Sequence, residues 1–478
     1  MKQNKFEEFH PIFYPESVAV MGVSGNGVNA GARYYLSLLR AGFLGETYAV
    51  NPRGGELEGR PIYTSLASIP GKVDHVIIAV PAGALLQALD DCASKGVKVA
   101  EIYTAGFSET GTEEGRRAEK ALVEKARQLG ILIVGPNCIG VYSPARRLPY
   151  GMSNYSGEAG TIGFVSQSGG LCGMMMDLGM TKGLKFSKAV SFGNGSLLDS
   201  VDFLDYFAAD PETKIVGAYL EGMRQGPRFL SLARRLTKEK PFVVWIGGRT
   251  EVGARSAASH TGSLAAPDAL WSAALKQAGA VRVYSMEELV DTLQAFQQIE
   301  SPAGENMAFV TGLTGGGGGV GVSASDALMG IGLRLPAFGA ETRRKLQQML
   351  PAVGTFIHNP LDMGGQTIAM DSFLQCLLAV AADPSVDTIV FHERTGFFYQ
   401  PFYAGKLAPV NEVLIKFKQM QPKPVVVVSP GGTMEKERIE LEKPLVQAGI
   451  PVFPTSERAA QAMKNHHDYW ASRQEAAP

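Results

Sequence analysis

Three stretches of the 478-residue chain repeat one pattern, and this repetition limits the folds that the chain can adopt. The stretches are SVAVMGVSGNG from Ser17, TIGFVSQSGG from Thr161 and MAFVTGLTGGGGG from Met307. Each is a short apolar run, followed by a glycine-rich turn and then by a segment with helical periodicity. Their spacing of about 145 residues matches the usual size of one domain.

Short apolar runs rich in valine and isoleucine follow each of these stretches, and helical patterns separate them. Examples are VDHVIIAV from Val73, FVVWI from Phe242 and PVVVV from Pro424. Continuous runs of this kind are typical of parallel strands that are buried on both faces. The alternation predicts an α/β fold of three consecutive doubly wound parallel-sheet domains. The predicted domains are residues 1–148, 158–299 and 305–472, and the predicted linkers are Ser143–Gly160 and Glu300–Asn306.

Charge and composition exclude several classes of partner. The net charge of −1 gives no general attraction to nucleic acid or to an anionic membrane. No apolar run reaches the roughly 18 residues that a membrane span needs, and the N-terminus lacks the apolar region of a signal peptide. The four cysteines have no CxxC spacing, which indicates a cytoplasmic protein with no zinc site and no other metal site of its own.

The first glycine loop differs from the dinucleotide-binding fingerprint. It reads Gly22-x-x-Gly25-x-Gly27, whereas the fingerprint is G-x-G-x-x-G. The second strand ends in Asn51-Pro52-Arg53, where an NAD site carries an acidic residue for the ribose hydroxyls. A neutral or cationic strand end suits a phosphorylated ribose, as in CoA or NADP. A tight structural turn is the alternative.

The other two glycine loops also have two interpretations each. In SQSGG, Ser168 either caps the following helix or joins the backbone N–H groups in holding an anion. The five glycines Gly315–Gly319 lack the Lys-Ser or Lys-Thr of a P-loop, so that motif is rejected. Because a turn needs only one glycine, the run indicates close approach by a ligand or a partner.

The segment RSAASHTGSLAA, from Arg255 to Ala266, places His260 among small residues. Nothing in it is large enough to pack a buried imidazole, and no second histidine or cysteine lies nearby to share a metal ion. We therefore predict a small-residue loop that leaves space beside the imidazole for a ligand.

Several segments together resemble the α part of the NDP-forming acyl-CoA synthetase family, relatives of succinyl-CoA synthetase. They include VNPRGGE, TAGFSETG, VGPNCIGVYSP, FVSQSGGL, SFGN, YLEG, SHTGSLA and HNPLD, in the order that the family shows. The resemblance implies a Rossmann-like CoA-binding domain followed by two flavodoxin-like ligase domains.

The resemblance also implies the site residues. His260 would carry phosphate, and Glu221 at the end of a strand in YLEG would support it. The CoA site would be lined by Gly22, Ser24, Gly25, Asn51, Pro52, Arg53, Val80, Pro81, Ala105, Gly106, Asn137 and Cys138. Two helix N-termini would face the phosphohistidine, at Ser168, Gly169 and Gly170 and at Gly317, Gly318 and Gly319.

The implied reaction interconverts acyl-CoA, NDP and phosphate with acid, CoA and NTP through an acyl phosphate and phosphorylated His260. The substrate would be a small carboxylic acid. No part of the chain is a candidate ATP-grasp domain, so ADP/ATP or GDP/GTP and Mg would bind to a β subunit in an α2β2-like assembly. A catalytically silent CoA-binding regulatory protein and a CoA-thioester lyase are the alternatives.

Three further residues receive predictions. Cys138 has no evident basic partner, so a small packed residue is favoured over a thiol nucleophile. His466 and His467 lie in a polar C-terminal helical segment and are expected to be solvated.

Overall fold

The computed structural model describes residues 3–153, 157–261, 267–300, 302–314, 316–365, 369–392, 407–432 and 435–475. These residues form three sheets flanked by helices. The chain divides into two compact units. The first, Met1–Met180 with Leu184–Leu289, contains two of the sheets, and the second, Thr181–Gly183 with Val290–Pro478, contains the third.

The first sheet has the strand order β3-β4-β2-β1-β5-β6-β7. Apart from the antiparallel pair β3–β4, its strands are parallel, and the order outward from β1 is that of a Rossmann-like sheet. The strands are β1 Ser17–Met21, β2 Glu46–Val50, β3 Glu56–Leu57, β4 Arg60–Tyr63, β5 His75–Ile78, β6 Val99–Ile102 and β7 Leu132–Val134.

The second sheet has the order β13-β12-β11-β9-β10-β8. Its five parallel strands follow the flavodoxin-like order, and β8 joins β10 in antiparallel orientation at the edge. The strands are β8 Gly140–Tyr142, β9 Ile162–Ser166, β10 Phe186–Ser191, β11 Ile215–Leu220, β12 Phe242–Ile246 and β13 Val281–Val283.

The third sheet repeats the flavodoxin-like order, β15-β16-β14-β17-β18-β19, with β15 antiparallel. Its strands are β14 Met307–Thr311, β15 Phe356–Ile357, β16 Leu361–Asp362, β17 Thr388–His392, β18 Val425–Val428 and β19 Val452–Phe453. The three sheets confirm the predicted α/β fold with one Rossmann-like and two flavodoxin-like sheets.

Helices connect the strands and cover the sheet faces. In the first compact unit they are α1 Gln3–Phe13, α2 Ala30–Ala41, α3 Leu85–Lys95, α4 Glu113–Leu129, α5 Gly169–Thr181 (which ends at the boundary), α6 Ser200–Ala209, α7 Gly226–Thr237, α8 Glu251–Thr261 and α9 Asp268–Ala278. They continue with α10 Met286–Gln298, α11 Gly317–Met329, α12 Ala340–Met349, α13 Met370–Ala381, α14 Leu407–Met420, α15 Glu435–Gln447 and α16 Ser456–Glu475. Among the described residues, no helix is long and apolar enough to cross a membrane.

The predicted domain boundaries stay predictions, but two elements lie on unexpected sides of the predicted linkers. Strand β8 belongs to the second sheet, although it precedes the linker predicted from Ser143. Helix α10 precedes the linker predicted from Glu300, yet Ala295 near its end and Ile299 directly after it pack with Phe309 of the third sheet. Neither feature has a composition signal, because both depend on packing between distant segments.

Lys188 is a fully buried charged residue in strand β10 of the second sheet. Its ammonium group lies 2.7 Å from Asp210 and 2.8 Å from Glu212, and 5.0 Å from the centre of the Tyr14 ring. Tyr14 follows α1 and donates a hydrogen bond to Glu212. A buried charge is tolerated only when it is paired, and here the pairing also attaches the N-terminal helix to the second sheet.

The expectation that His466 is solvated is wrong. The side chain is fully buried, its Nε2 lies 3.0 Å from the carbonyl oxygen of Ile299, and its ring packs 5.0 Å from that of Phe296. His467 is half-buried, with Nδ1 3.1 Å from the carbonyl oxygen of Ala303. Although the sequence of α16 is polar on average, one face of this helix is apolar and includes Ala460 and Met463. This face packs on the third sheet.

We expect His466 to make folding of the second compact unit depend on pH. Burial lowers the pKa of His466 to about 4, below its ordinary value of 6.5, so the unfolded chain binds the proton more readily. The stability contributed by the neutral ring is complete above pH 6.5 and is lost as the pH falls towards 4. Because of this histidine, the free energy of unfolding measured by urea denaturation should be about 2 kcal/mol lower at pH 5 than at pH 7.

The control is a comparison of His466→Gln with His358→Gln, which alters an exposed histidine. The first variant should lose most of this pH dependence and the second should retain it. Equal pH dependence in His466→Gln and the wild-type chain would contradict the prediction.

Candidate functional site

The turn after β1 is built around two residues with different tasks. Gly22 has a φ of +93°, and a Cβ at this position would lie 2.3 Å from the carbonyl oxygen of Ala79, so only glycine fits. Asn29 caps α2 through a 3.0 Å hydrogen bond from the Ala32 N–H, and its amide donates to the Gly22 carbonyl at 2.6 Å. Asn29 also accepts from the Ser24 hydroxyl at 2.9 Å.

Asn29 was missed by the sequence analysis, although asparagine just before a helical pattern is a recognised capping signal. The turn that it fixes leaves Gly25 exposed and Ser24 half-buried. The loop is therefore open to a ligand while its main chain is held by the cap.

The other predicted CoA-site residues follow neighbouring strands of the same sheet. Asn51 follows β2 and accepts a 3.0 Å hydrogen bond from the Arg53 N–H. Pro52, Arg53 and Pro81 are exposed. Because the carboxyl ends of parallel strands meet at one edge, the structure brings these turns to the same side as the Gly22 turn.

Thr104, which follows β6, connects the turns after β5 and β7 at this edge. Its hydroxyl donates to the Val80 carbonyl at 2.6 Å, and its carbonyl accepts from the Asn137 N–H at 3.0 Å. The exposed Ala105 and Gly106 come directly after it. All the predicted CoA residues thus follow the carboxyl ends of strands along one edge of the sheet, where Cys138 is buried.

Cys138 is a packed core residue. Its residue surface is 3% exposed, and Sγ lies 3.5 Å from the carbonyl oxygens of both Ile102 and Val134. Burial raises the pKa of the thiol well above its usual value, and the nearby Glu101 raises it further. The thiolate needed for nucleophilic attack is therefore strongly disfavoured, as the sequence analysis predicted.

In the second sheet, the turn after β9 and the end of β11 are linked by Gln167. Its side-chain oxygen accepts hydrogen bonds from the N–H groups of Glu221 at 2.9 Å and Gly222 at 3.3 Å. Its own N–H donates to the Tyr219 carbonyl at 3.0 Å. Gln167 stands directly before Ser168 in SQSGG, but the sequence alone gave no reason to choose it over its neighbours.

Glu221 is buried, with Oε1 3.2 Å from the hydroxyl group of Tyr219. Burial raises the pKa of Tyr219, and the adjacent Glu221 carboxylate raises it further. The phenol therefore stays protonated and donates to the carboxylate. This arrangement fixes the direction of Glu221 at the end of β11 and gives the buried carboxylate a partner.

Ser168 caps α5. Its hydroxyl oxygen accepts from the Leu171 N–H at 3.3 Å, and its carbonyl accepts the first helical hydrogen bond from Cys172 at 3.1 Å. Ser168 and Gly169 are half-buried and Gly170 is exposed, so the N-terminus of the helix is accessible. The cap interpretation is supported, and the hydroxyl hydrogen remains available as a donor to an anion.

The prediction of a loop around His260 is wrong for its backbone. Helix α8 runs from Glu251 to Thr261, so residue 260 lies in the last turn of a helix. The helix follows β12. Thr250, directly before the helix, caps its first turn, because its hydroxyl oxygen accepts a hydrogen bond from the Gly253 N–H at 3.1 Å. Alanine and serine are compatible with a helix, and the small-residue composition did not distinguish helix from loop. The side chain of His260 and residues 262–266 lie outside the described part of the chain.

The third glycine loop already faces a carboxylate. A Cβ on Gly317 would lie 2.3 Å from Asp362 Oδ1, and a Cβ on Gly312 would lie 2.0 Å from it. Asp362 thus occupies the space beside the start of α11, where the helix dipole favours negative charge. Gly318 and Gly319 have more space around them. Phosphate binding by Gly317, Gly318 and Gly319 stays a prediction. A phosphate bound there would lie close to the negative charge of the Asp362 carboxylate.

Among the described residues, no group of three histidine, cysteine, aspartate or glutamate side chains could hold a metal ion. The described site residues lie in main-chain turns and at a helix N-terminus, together with the buried carboxylate of Glu221. Main-chain N–H groups at such positions can bind anions.

Models of known families match three consecutive parts of the chain. A CoA-binding domain matches residues 16–144, a succinyl-CoA ligase-like flavodoxin domain matches 159–296, and a CoA-ligase domain matches 337–466. The α subunit of an ADP-forming acetate–CoA ligase I from Pyrococcus furiosus is 36% identical over 459 residues, which cover 95% of this chain and 96% of the relative. The chain belongs to the NDP-forming acyl-CoA synthetase family.

Other members of this family of acid–thiol ligases differ in length. An ADP-forming acetate–CoA ligase I from Archaeoglobus fulgidus is 38% identical over 379 residues, which are 79% of this chain but 54% of that relative. The solved structure of a dinucleotide-forming acetyl-coenzyme A synthetase 1 from Ca. Korarchaeum cryptofilum, in complex with phosphate and ADP, is 32% identical. It has a TM-score of 0.84 and covers 98% of this chain and 97% of its own.

Two substitutions of Ser168 should separate capping from anion binding. Ser168→Ala removes the cap and should lower stability by about 1 kcal/mol. Ser168→Asp keeps a capping oxygen and should retain the thermal midpoint, but its negative charge should abolish any rise of that midpoint with added inorganic phosphate. Thermal denaturation with and without phosphate measures both effects. A phosphate-dependent rise that survives in Ser168→Asp would make Ser168 a cap only.

Proposed function

We propose that this chain is the α-type component of an ADP-forming acyl-CoA synthetase that acts on acetate or a similarly small monocarboxylic acid. It would interconvert acyl-CoA, ADP and phosphate with acid, CoA and ATP. The proposal is supported by the P. furiosus relative, which matches this chain over nearly the full length of both and is named as an ADP-forming acetate–CoA ligase subunit. The phosphate and ADP in the similar solved structure support the choice of nucleotide.

One structural observation carries the proposed mechanism. Strands β12, β11 and β9 are neighbours in the second sheet, and their carboxyl ends lead to α8, Glu221 and Ser168 respectively. The helix that bears His260, a buried carboxylate and an accessible helix N-terminus thus follow three adjacent strands. A phosphoryl group on an imidazole needs an acceptor for the opposite ring nitrogen and donors for its oxygens.

The proposed reaction has three balanced steps. An oxygen of inorganic phosphate attacks the thioester carbonyl, the C–S bond breaks, and CoA leaves as a thiolate that takes up a proton. A nitrogen of neutral His260 then attacks the phosphorus of the acyl phosphate, and the carboxylate leaves. The phosphoryl group finally passes to the β-phosphate oxygen of ADP, which regenerates neutral His260.

Within this scheme, Glu221 orients the imidazole of His260 by accepting its second N–H. We assign CoA binding to the turns that contain Gly22, Ser24, Gly25, Asn51, Pro52, Arg53, Val80, Pro81, Ala105, Gly106, Asn137 and Cys138, with Cys138 contributing through its main chain. Phosphate would be held first by Ser168, Gly169 and Gly170.

We further propose that a β chain supplies the nucleotide-binding domain. The relative from P. furiosus is named as a subunit α, whereas the A. fulgidus relative is a longer single chain of which this chain spans 54%. A separate ATP-grasp chain would carry the nucleotide and Mg²⁺.

His260 should be the site of phosphorylation. Incubation of the chain with ³²P-labelled acetyl phosphate, or with a β partner and γ-labelled ATP, should give a base-stable, acid-labile label. His260→Asn should remove the label, and His10→Asn, which alters an exposed histidine of α1, should retain it. A wild-type chain without label, or a labelled His260→Asn variant, would overturn the proposal.

Replacement of Glu221 should slow phosphorylation without preventing folding. Glu221→Gln keeps the shape of the side chain and its contact with Tyr219 but removes the charge that stabilises the imidazolium-like state. We expect the initial rate of labelling to fall by about 100-fold. Glu239→Gln, which alters an exposed carboxylate after α7, is the matched control and should be labelled at the wild-type rate. Equal rates in the two variants would remove Glu221 from the mechanism.

A further inference from the structure

Two acidic side chains converge on one amide group between the first and second sheets. Asn194 Nδ2 lies 2.6 Å from Glu109 Oε2 and 2.8 Å from Glu119 Oε2. Glu119 and Asn194 are buried, and Glu109 is half-buried. With Arg224, whose guanidinium group lies 3.9 Å from Glu119, these residues are called the bridging cluster below.

Glu109 connects the bridging cluster to a turn that we assign to CoA. Its Oε1 accepts hydrogen bonds from the N–H of Gly106 at 2.5 Å and from that of Phe107 at 3.0 Å. Burial alone would raise the pKa of Glu109. The hydrogen bonds from the Asn194 amide and from these N–H groups nevertheless hold this pKa below its usual value. The ionised carboxylate therefore fixes the main chain of the turn from inside, leaving the outer face of Gly106 exposed.

Glu119 supports the same turn from helix α4. Its Oε2 accepts from the Ser108 N–H at 3.1 Å and also from the Ser108 hydroxyl. The amide of Asn194 has only two hydrogens, and its two shortest contacts are with the carboxylates, while the Ser108 hydroxyl oxygen lies farther away at 3.3 Å. Without that amide, two carboxylates would face each other in a poorly hydrated space, which is unfavourable.

Arg224 connects the cluster to the segment that follows β11 and contains Glu221. It follows β11 by four residues and donates to the carbonyl oxygens of Asn194 and Gly195, each at 3.0 Å. The turn that contains Asn194 follows β10 and packs directly on the turn after β7. A Cβ on Gly193 would lie 2.2 Å from the Asn137 carbonyl oxygen, so no side chain fits there.

The bridging cluster also lies beside the helix that bears His260. Helix α8 contacts the short 3-10 turn Ser108–Thr110, which contains Glu109 and the Ser108 ligand of Glu119. One small group of side chains thus joins the Gly106 turn to the turns that follow β10 and β11. None of its four members is a residue that we assign to contact with CoA or phosphate.

We propose that Asn194, Glu109 and Glu119 are positioning residues that set the Gly106 turn for CoA binding, an inference that rests on the proposed assignment of that turn to CoA. The cluster acts through the main chain of residues 106–108. It determines the affinity for CoA, whereas the acceptance of phosphate by His260 depends on the second sheet's own contacts.

Calorimetric titration of the full-length chain with CoA tests this inference. Glu109→Gln places an amide against the Asn194 amide, and Asn194→Ala removes the shared donor. Each substitution should raise the Kd for CoA about 5- to 10-fold. Both substitutions disrupt the same contact. The Kd of the double variant for CoA should therefore be no higher than the higher of the two single-variant Kd values. Glu113→Gln, which alters an exposed carboxylate paired with Arg116 at the start of α4, should bind CoA like the wild type.

A second readout distinguishes positioning from general loss of structure. Labelling of each variant by acetyl phosphate needs no CoA and should stay within about twofold of the wild-type rate. Unchanged Kd values in both single variants, additive effects in the double variant, or loss of labelling together with CoA binding would overturn the inference. A wild-type chain that binds CoA but is not labelled would contradict only the phosphohistidine proposal. The Kd values of the variants for CoA would still decide the role of the bridging cluster.

Discussion

The close contact between the turn after β10 and the turn after β7 is the constraint on which the proposed site depends. At Gly193 the main chain of one turn packs against the Asn137 carbonyl of the other, with no space for a side chain. The N–H of Asn194 donates to the Pro136 carbonyl at 3.1 Å, and that of Ser196 donates to the Gly135 carbonyl at 3.3 Å. Main-chain contacts of this kind fix position more strictly than contacts between flexible side chains, so the carboxyl edges of two sheets are held together.

This constraint has a chemical purpose in a ligase that passes a phosphoryl group between substrates. Under the proposed mechanism, thioester cleavage would take place with CoA at the edge of the first sheet, and phosphoryl transfer would use the imidazole at the edge of the second. A displacement of about 1 Å between reacting groups can reduce a rate by about 100-fold. Under the same proposal, the glycine at position 193 and the bridging cluster contribute to the reaction by fixing the turns of the CoA edge, without contacting the substrates.

The buried charges of the first unit serve two separate roles. Lys188, Asp210 and Glu212 lie near the amino ends of the second-sheet strands, away from the proposed chemistry, and attach helix α1. Glu109, Glu119 and Asn194 lie at the carboxyl ends, beside the proposed substrates. In both places these side chains join segments that are distant in the sequence, Tyr14 to Glu212 in the first and Glu109 to Asn194 in the second.

The sequence by itself determined the alternation of strands and helices, the α/β class and the glycine-rich strand-end turns, because periodicity and glycine placement are local properties. The motif order also identified the family and the candidate residues His260 and Glu221. Only the tertiary structure showed that His466 is buried, that β8 belongs to the second sheet and that residue 260 lies in a helix. It alone brought Gln167 to Glu221 and Asn194 to Glu109, since these pairs are separated by more than fifty residues and no local pattern encodes which distant turn a side chain will meet.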